Sequence, residues 1–127
     1  MGYRSEVAIV IYGNGPADET DEDMVSLKLK YDALYAEQTP GTRVDIDWIL
    51  STGGWIDNGF QIHAESIKWY DGDSFVEFFD KLIRFANDLE LNTEIIVLGE
   101  EPDDNESDYT GPNVEYRLGI NRSISFN

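Results

Sequence analysis

The chain contains a single histidine, His63, with Glu65 two residues on. In an extended strand, residues two apart share a face. A His–Glu pair placed that way could move a proton. One imidazole cannot build a His-rich metal site, and no Ser–His–Asp spacing is recognisable around it. There is no cysteine, which removes thiol catalysis, disulfides and thiolate metal sites together. His63 and Glu65 therefore read as a surface or cross-strand pair. The chain reads as a non-enzyme with no catalytic residue and no cofactor.

Two further stretches invite a ligand reading and fail it. Asp103, Asn105 and Ser107 alternate oxygen ligands as a calcium loop does, but its sixth position would be Asp108 and its twelfth Val114. An EF-hand needs Gly and a bidentate Glu there. Gly13-Asn14-Gly15-Pro16 is turn chemistry, and it lacks the spaced second Gly with Lys-Ser/Thr of a phosphate loop.

Charge is the outlying property. Twenty-six acids against nine bases give a formal net charge of −17. Direct binding to a nucleic-acid backbone needs clustered Lys and Arg, so it is excluded as a main activity. The same charge attracts a basic surface over long range, weakening with salt. The acids concentrate in two runs. Residues 18 to 23 carry five, and residues 100 to 108 carry Glu100, Glu101, Asp103, Asp104, Glu106 and Asp108. If the runs converge they form one negative edge, which could imitate the charge of a duplex. Asp21, Glu22, Asp23, Asp103, Asp104 and Glu106 are the candidate contacts to a basic partner. The plainer explanation is solubility. Trp55, between Gly54 and Ile56, has no obvious sheet position. It either folds back over the core or stands out as a partner-binding anchor, since Trp is enriched at interface hot spots.

The elements that must hold these residues follow from periodicity. The strongest is a helix over 74 to 90. Phe75, Phe78, Phe79, Leu82, Ile83, Ala86 and Leu89 recur at steps of three and four. Ser74 with Glu77 is a capping-box pattern. Residues 6 to 12 are a continuous apolar run, which predicts a central strand buried on both faces. After the first acidic run, Met24, Leu27, Tyr31, Leu34 and Tyr35 share a helical face, although Val25, Leu27, Leu29 and Tyr31 also alternate as a strand would. The acidic start favours a helix, and Thr39-Pro40-Gly41 is read as its end.

Val44, Ile46, Trp48 and Leu50 alternate with Arg43, Asp45 and Asp47, which predicts a half-exposed strand with Ile49 as the exception. It should pair as a hairpin with a strand beginning at Phe60, Ile62 and Ala64. Parity then flips at Ile67 and Trp69, and a bulge near Glu65 or Ser66 would restore one buried face. A strand over 93 to 98 follows, then an acidic loop from Gly99 to Pro112. The last strand alternates Val114, Tyr116, Leu118, Ile120, Ile124 and Phe126 against polar residues.

The predicted order is β-α-β-β-α-β-β in a single domain spanning 1–127. The fold class is α+β: a mainly antiparallel sheet with two helices on one face, ferredoxin-like β-α-β-β-α-β with an added C-terminal strand. The N-terminus has an early acid and no long apolar run, so it is not read as a signal peptide. No run approaches the ~20 apolar residues of a membrane span. A soluble intracellular protein with no membrane partner is expected.

Short motifs spread along the chain carry a resemblance. They are Met1-Gly2-Tyr3-Arg4-Ser5-Glu6-Val7, Ile67-Lys68-Trp69-Tyr70-Asp71-Gly72, Leu98-Gly99-Glu100 and Asn121-Arg122-Ser123-Ile124. Together they resemble a group of small accessory proteins encoded by tailed bacteriophages. The resemblance implies a phage protein working in the host cytoplasm, and it carries no catalytic residues. Joined to the charge, it suggests a binding protein that acts on a basic host protein, for example by inhibiting a nucleic-acid-binding defence enzyme through a DNA-mimic-like acidic surface. The alternative is a self-associating structural or scaffold protein, and a homodimer stays open.

Overall fold

Ser5–Tyr12 forms β1, and its apolar run is buried on both sides. Val7 to Ile11 are each at most 1% exposed. The computed structural model describes residues 5–16, 21–56, 58–70, 72–99, 105–121 and 123–126. The further elements are α1 (Glu22–Ala36), α2 (Pro40–Leu50), β2 (Gly54–Ile56), β3 (Gly59–Ile67), α3 (Ser74–Asp88), β4 (Asn92–Leu98), β5 (Asn105–Thr110), β6 (Leu118–Asn121) and β7 (Ser123–Phe126). The first five strands form one sheet in the order β2-β3-β1-β4-β5, and β6 and β7 form a separate hairpin.

Every neighbouring pair in the main sheet is antiparallel. Consequently β1 runs parallel to β2 with β3 between them, and β3 runs parallel to β4 with β1 between them. The two helical crossovers interlock. The fold is α+β with a five-stranded antiparallel sheet and three helices. Among the described residues, no helix is long and apolar enough to cross a membrane.

The helices share one face of the sheet. Val7, Ile9 and Ile11 of β1, with Phe60, Ile62, Ala64 and Ile67 of β3, meet Met24, Leu27, Tyr31 and Leu34 of α1, Ile46 and Ile49 of α2, and Phe78, Phe79, Leu82 and Ala86 of α3. The opposite face carries Ala8, Val10, Tyr12 and Ile96, covered by Leu118 of β6 and Ile124 of β7. The predicted bulge is present. Val7 pairs with Ala64 but Ser5 with Ile67, so β3 makes three steps against two on β1. The extra residue at Glu65–Ser66 returns Ile67 to the buried face.

Six expectations need correction. Residues 43 to 50 are not a strand but most of α2. Thr39 is its N-cap, with Thr39 Oγ1 accepting from Thr42 N, and Pro40 opens the first turn. Pro has no N–H to lose there and its φ suits the helix, so Thr39-Pro40 starts a helix rather than ending one. The buried face is Thr42, Ile46 and Ile49, while Val44 and Trp48, expected in the core, are 67% and 53% exposed. The strand paired with β3 is instead β2. The Gly99–Pro112 stretch is not all loop, because its second half is β5, in register with β4 from Leu98↔Asn105 to Thr93↔Thr110. The C-terminal segment is not one strand added to the sheet but the β6–β7 hairpin folded over its far face. The N-cap of α3 is Asp73 rather than Ser74, and its carbonyl accepts from Glu77 N.

Candidate interaction groove

The α1 face that looked ambiguous in sequence is apolar on two sides. Met24, Leu27, Tyr31 and Leu34 turn inward. Val25 and Leu29, one turn apart, turn outward and are 52% and 65% exposed. They lie along α1 beside the edge strand β2, whose Ile56 is 42% exposed. Between helix and strand runs a groove of about 320 Å³ lined by Val25, Lys28, Leu29, Asp32, Trp55 and Ile56, among others. Three exposed apolar side chains on two elements thus converge on one concavity, which is unlike the scattered exposed apolar residues of an ordinary surface.

Trp55 is the floor of the groove and not a free anchor. Its ring meets Phe60 at a centroid distance of 4.8 Å and Tyr31 edge-on at 5.5 Å. It is half-buried and packs on the helix-side core. The Lys28 ammonium lies 5.8 Å from its centroid, within cation–π range.

The acidic candidates separate into three situations. Asp21 has a structural role: Asp21 Oδ2 accepts from Asn14 N at 2.7 Å and Gly15 N at 3.1 Å, tying the β1–α1 connection. Asp21 N donates to Asn58 Oδ1 at 2.8 Å, joining that loop to the β2–β3 turn. Asn58 sits at φ 50°, a left-handed conformation that Asn tolerates better than most residues. Glu22 and Asp23 are exposed in the first turn of α1. Glu106 is exposed on β5, with Asp108 two residues on. Asp103 and Asp104 lie outside the described residues, as do Asp18, Glu19, Glu100 and Glu101.

The described parts of the two acidic runs do not converge. α1 lines the β2 edge of the sheet, and Glu106 and Asp108 lie on the opposite edge. Four inter-strand steps separate those edges, roughly 19 Å. Asp21 also sits beyond Tyr12 at one end of β1, while Glu106 pairs with Val97 and so lies level with Val7. Among the described residues the two runs therefore form two separate negative regions rather than a single negative edge.

His63 pairs with Glu6, not with Glu65. Its Nε2 lies 2.6 Å from Glu6 Oε2, and the same oxygen accepts from Ile124 N at 3.2 Å. The pair is half-buried and links β3, β1 and β7, while Glu65 is exposed in the bulge. Thr52 Oγ1 accepts from His63 N at 2.9 Å. Asn105 and Ser107 of the calcium-like pattern are on β5. Among the described residues, no cluster of three or more His, Asp or Glu side chains could hold a metal.

Sequence reasoning missed Glu94, which is fully buried beneath the C-terminal segment. The Tyr12 hydroxyl donates to Glu94 Oε2 at 2.5 Å, and Leu118 N donates to Oε1 at 2.9 Å. The Tyr12 oxygen in turn accepts from Glu115 N at 2.6 Å. The Arg117 guanidinium stacks 3.8 Å from the Tyr12 ring centroid and pairs with Glu115. Burial, with the Glu94 carboxylate beside it, pushes the Tyr12 phenol well above its ordinary value. The available signal was a lone acid inside the otherwise uncharged run Thr93–Leu98. Comparison with protein-family models, with curated proteins and with solved structures finds no match.

Proposed function

We propose that this is a binding protein that engages a basic partner protein through its carboxylates. Taken with the resemblance of its short motifs, it acts as a bacteriophage accessory protein on a host nucleic-acid-binding protein such as a defence enzyme, in the host cytoplasm. The scaffold is read as ferredoxin-like, with α2 inserted in the first crossover and β5 and the hairpin appended. The observation that carries the functional reading is stoichiometric. With 26 acids and nine bases, at least 26 − 9 = 17 carboxylates have no Lys or Arg of their own. Those at Glu22, Asp23, Glu106 and Asp108 are exposed on a helix and a strand, which fixes their spacing.

Density sets the scale of the contact. Glu106 and Asp108 stand roughly 6.7 Å apart along β5, whereas a duplex carries one charge per ~1.7 Å of its axis. The acidic surface therefore matches a local basic patch better than a long DNA channel. Immobilised protein should capture a positively charged host protein that elutes as salt is raised. Glu22→Gln with Asp23→Asn, or Glu106→Gln with Asp108→Asn, should move elution to lower salt, and Asp103 and Asp104 belong with the second set. An unchanged salt profile in both variants would return the charge to solubility.

A second reading, self-association, is favoured by a different observation. Val44 and Trp48 stand exposed one turn apart on α2, beside a cavity of about 540 Å³ lined by Asp45, Trp48, Lys68 and Phe75. Sedimentation across a wide concentration range, with Trp48→Ala as control, tests it.

A further inference from the structure

We infer that the groove between α1 and β2 is a docking site for a short extended segment of a partner protein, with a central apolar pair flanked by Lys or Arg at both ends. This rests on the reading that the partner is basic and names where and how it is held. Along α1, Glu22, Val25, Leu29 and Asp32 follow one another at steps of three, four and three, so they form one stripe on the helix surface. Val25 and Leu29 are the exposed apolar middle, and a carboxylate closes each end. Across from them, Ile56 and the Trp55 floor complete the apolar wall.

Charge complementarity selects the occupant. Both ends of the stripe are acidic and the whole chain is at −17, so a second copy would bring acid against acid. Among the described residues Lys28 is the one base lining the groove, and it lies near the Trp55 ring. An incoming cation is therefore repelled from the middle and accepted at the ends.

Geometry fixes the spacing. The ten helical steps from Glu22 to Asp32 span roughly 15 Å. An extended chain advances about 3.3 Å per residue and its side chains alternate faces, so two cations with an apolar pair between them on one face stand six residues, roughly 20 Å, apart, and their long side chains lean inward to reach the carboxylates. An extended segment also suits the site because β2 is an edge strand with only β3 beside it in the sheet, the arrangement in which a peptide can add a strand. A volume of about 320 Å³ is at the small end of ligand sites, which run from about 300 Å³ upward. It admits a pair of side chains and not the face of a whole helix.

The test uses a defined probe, the capped nonapeptide Gly-Arg-Ser-Leu-Ser-Leu-Ser-Arg-Gly, whose Arg and Leu side chains share one face of an extended strand, titrated by calorimetry into the full chain. Controls replace both Arg by Glu, or both Leu by Ser. One-to-one binding of the parent peptide alone is expected. Leu29→Ser, and separately Glu22→Gln with Asp32→Asn, should each weaken it at least about tenfold, while the melting temperature of each variant stays near wild type. Glu106→Gln with Asp108→Asn should leave it unchanged. Binding that ignores the groove variants but follows the β5 variant would overturn the groove assignment and leave a basic partner standing. Absence of binding by the parent peptide would overturn the groove alone, because salt-dependent capture of a host protein decides the wider reading separately. Self-association that Leu29→Ser abolishes would make a second copy the occupant and overturn the inference.

Discussion

On the helix side of the sheet, β1 turns Val7, Ile9 and Ile11 into a cluster of eighteen buried residues shared by three helices. On the hairpin side the same strand turns Ala8, Val10 and Tyr12 toward a buried cluster of six described residues. The larger face is held by area, and its polar contacts are incidental. The smaller face cannot be held that way. It adds directional bonds: both oxygens of Glu94 taken by Tyr12 and Leu118, and Glu6 taken by His63 and Ile124. Area tolerates many side chains of similar size. A buried acceptor tolerates almost no change, because the donors it leaves behind are unpaired. The two faces should therefore respond differently to mutation, and the response is the test of the comparison.

The largest effect belongs to the helix side. Leu82 on α3 is fully buried in the main cluster, so Leu82→Ala should cost ~2–5 kcal/mol in urea unfolding. A loss below ~0.5 kcal/mol would mean that α3 does not pack on the sheet as described.

On the hairpin side, Glu94→Gln keeps size and removes charge. Its amide nitrogen can accept from neither Tyr12 nor Leu118, so one of those donors is stranded, at about 1–3 kcal/mol. Hydrogen exchange should quicken first at Leu118 and Ile124, ahead of α3. A paired Tyr→Phe comparison sharpens the contrast. Tyr12→Phe removes the donor to Glu94 and the acceptor for Glu115 N, and should destabilise. Tyr31→Phe, on the helix side, removes a buried hydroxyl that has no hydrogen-bond partner among the described residues, and should be neutral or stabilising.

Alkaline pH probes the same residues. Burial is the leading cause of the raised phenol pKa at both Tyr12 and Tyr31. A raised folded-state value means that folding favours the neutral phenol. That stabilisation is complete below the unfolded value near pH ~10 and is lost as pH rises above it toward the folded value. Thermal melts should therefore fall above about pH 10, and each Tyr→Phe change should flatten the fall.

An effect comparable to that of Glu94→Gln is expected at His63. Its contact with Glu6 is half-buried, with side-chain exposures of 22% and 15%. His63→Ala removes one partner of that pair but leaves Glu6 still accepting from Ile124 N. The variant should lose about 1–3 kcal/mol and keep whatever capture activity the wild type has. Loss of capture by a folded His63→Ala protein would give the imidazole a role beyond joining β1, β3 and β7.

Legibility in the sequence followed how many periods a segment fits. α3, β1 and β4 each fit one, and their positions were readable to within a residue or two. The bulge in β3 was readable because its parity change had one economical explanation. Residues 43 to 50 fit two periods, and the deciding signal, Thr39-Pro40, fits a helix stop as well as a helix start; Ile49, the exception to the alternation, belongs to the helical face. β5 was invisible because Asn, Glu, Ser and Asp have low strand propensity, and charge on an edge strand is how sheets avoid further pairing. The partner of His63 could not be read at all, since it depends on the register of β1 against β3. The groove was present in the sequence as a contradiction. Val25 and Leu29 gave α1 its strand-like alternation because they are apolar residues that the core does not use.

That contradiction supplies the smallest stability effect and the sharpest functional one. If Val25 and Leu29 served the helix-side core, Leu29→Ser would cost what a core truncation costs. At 65% exposure Leu29 has little burial to lose, and surface substitutions usually fall within about ±0.5 kcal/mol. Leu29→Ser should therefore melt with the wild type. Leu27→Ser, two residues away and fully buried, should lose several kcal/mol, because it removes core contacts and buries a hydroxyl. The pair separates apolar residues kept for folding from apolar residues kept for something else. An exposed Leu that lies in a groove and contributes nothing to stability is free to serve the partner segment proposed for it. If Leu29→Ser instead destabilises as much as Leu27→Ser, the stripe is part of the core, and both the groove and the segment assigned to it fall together.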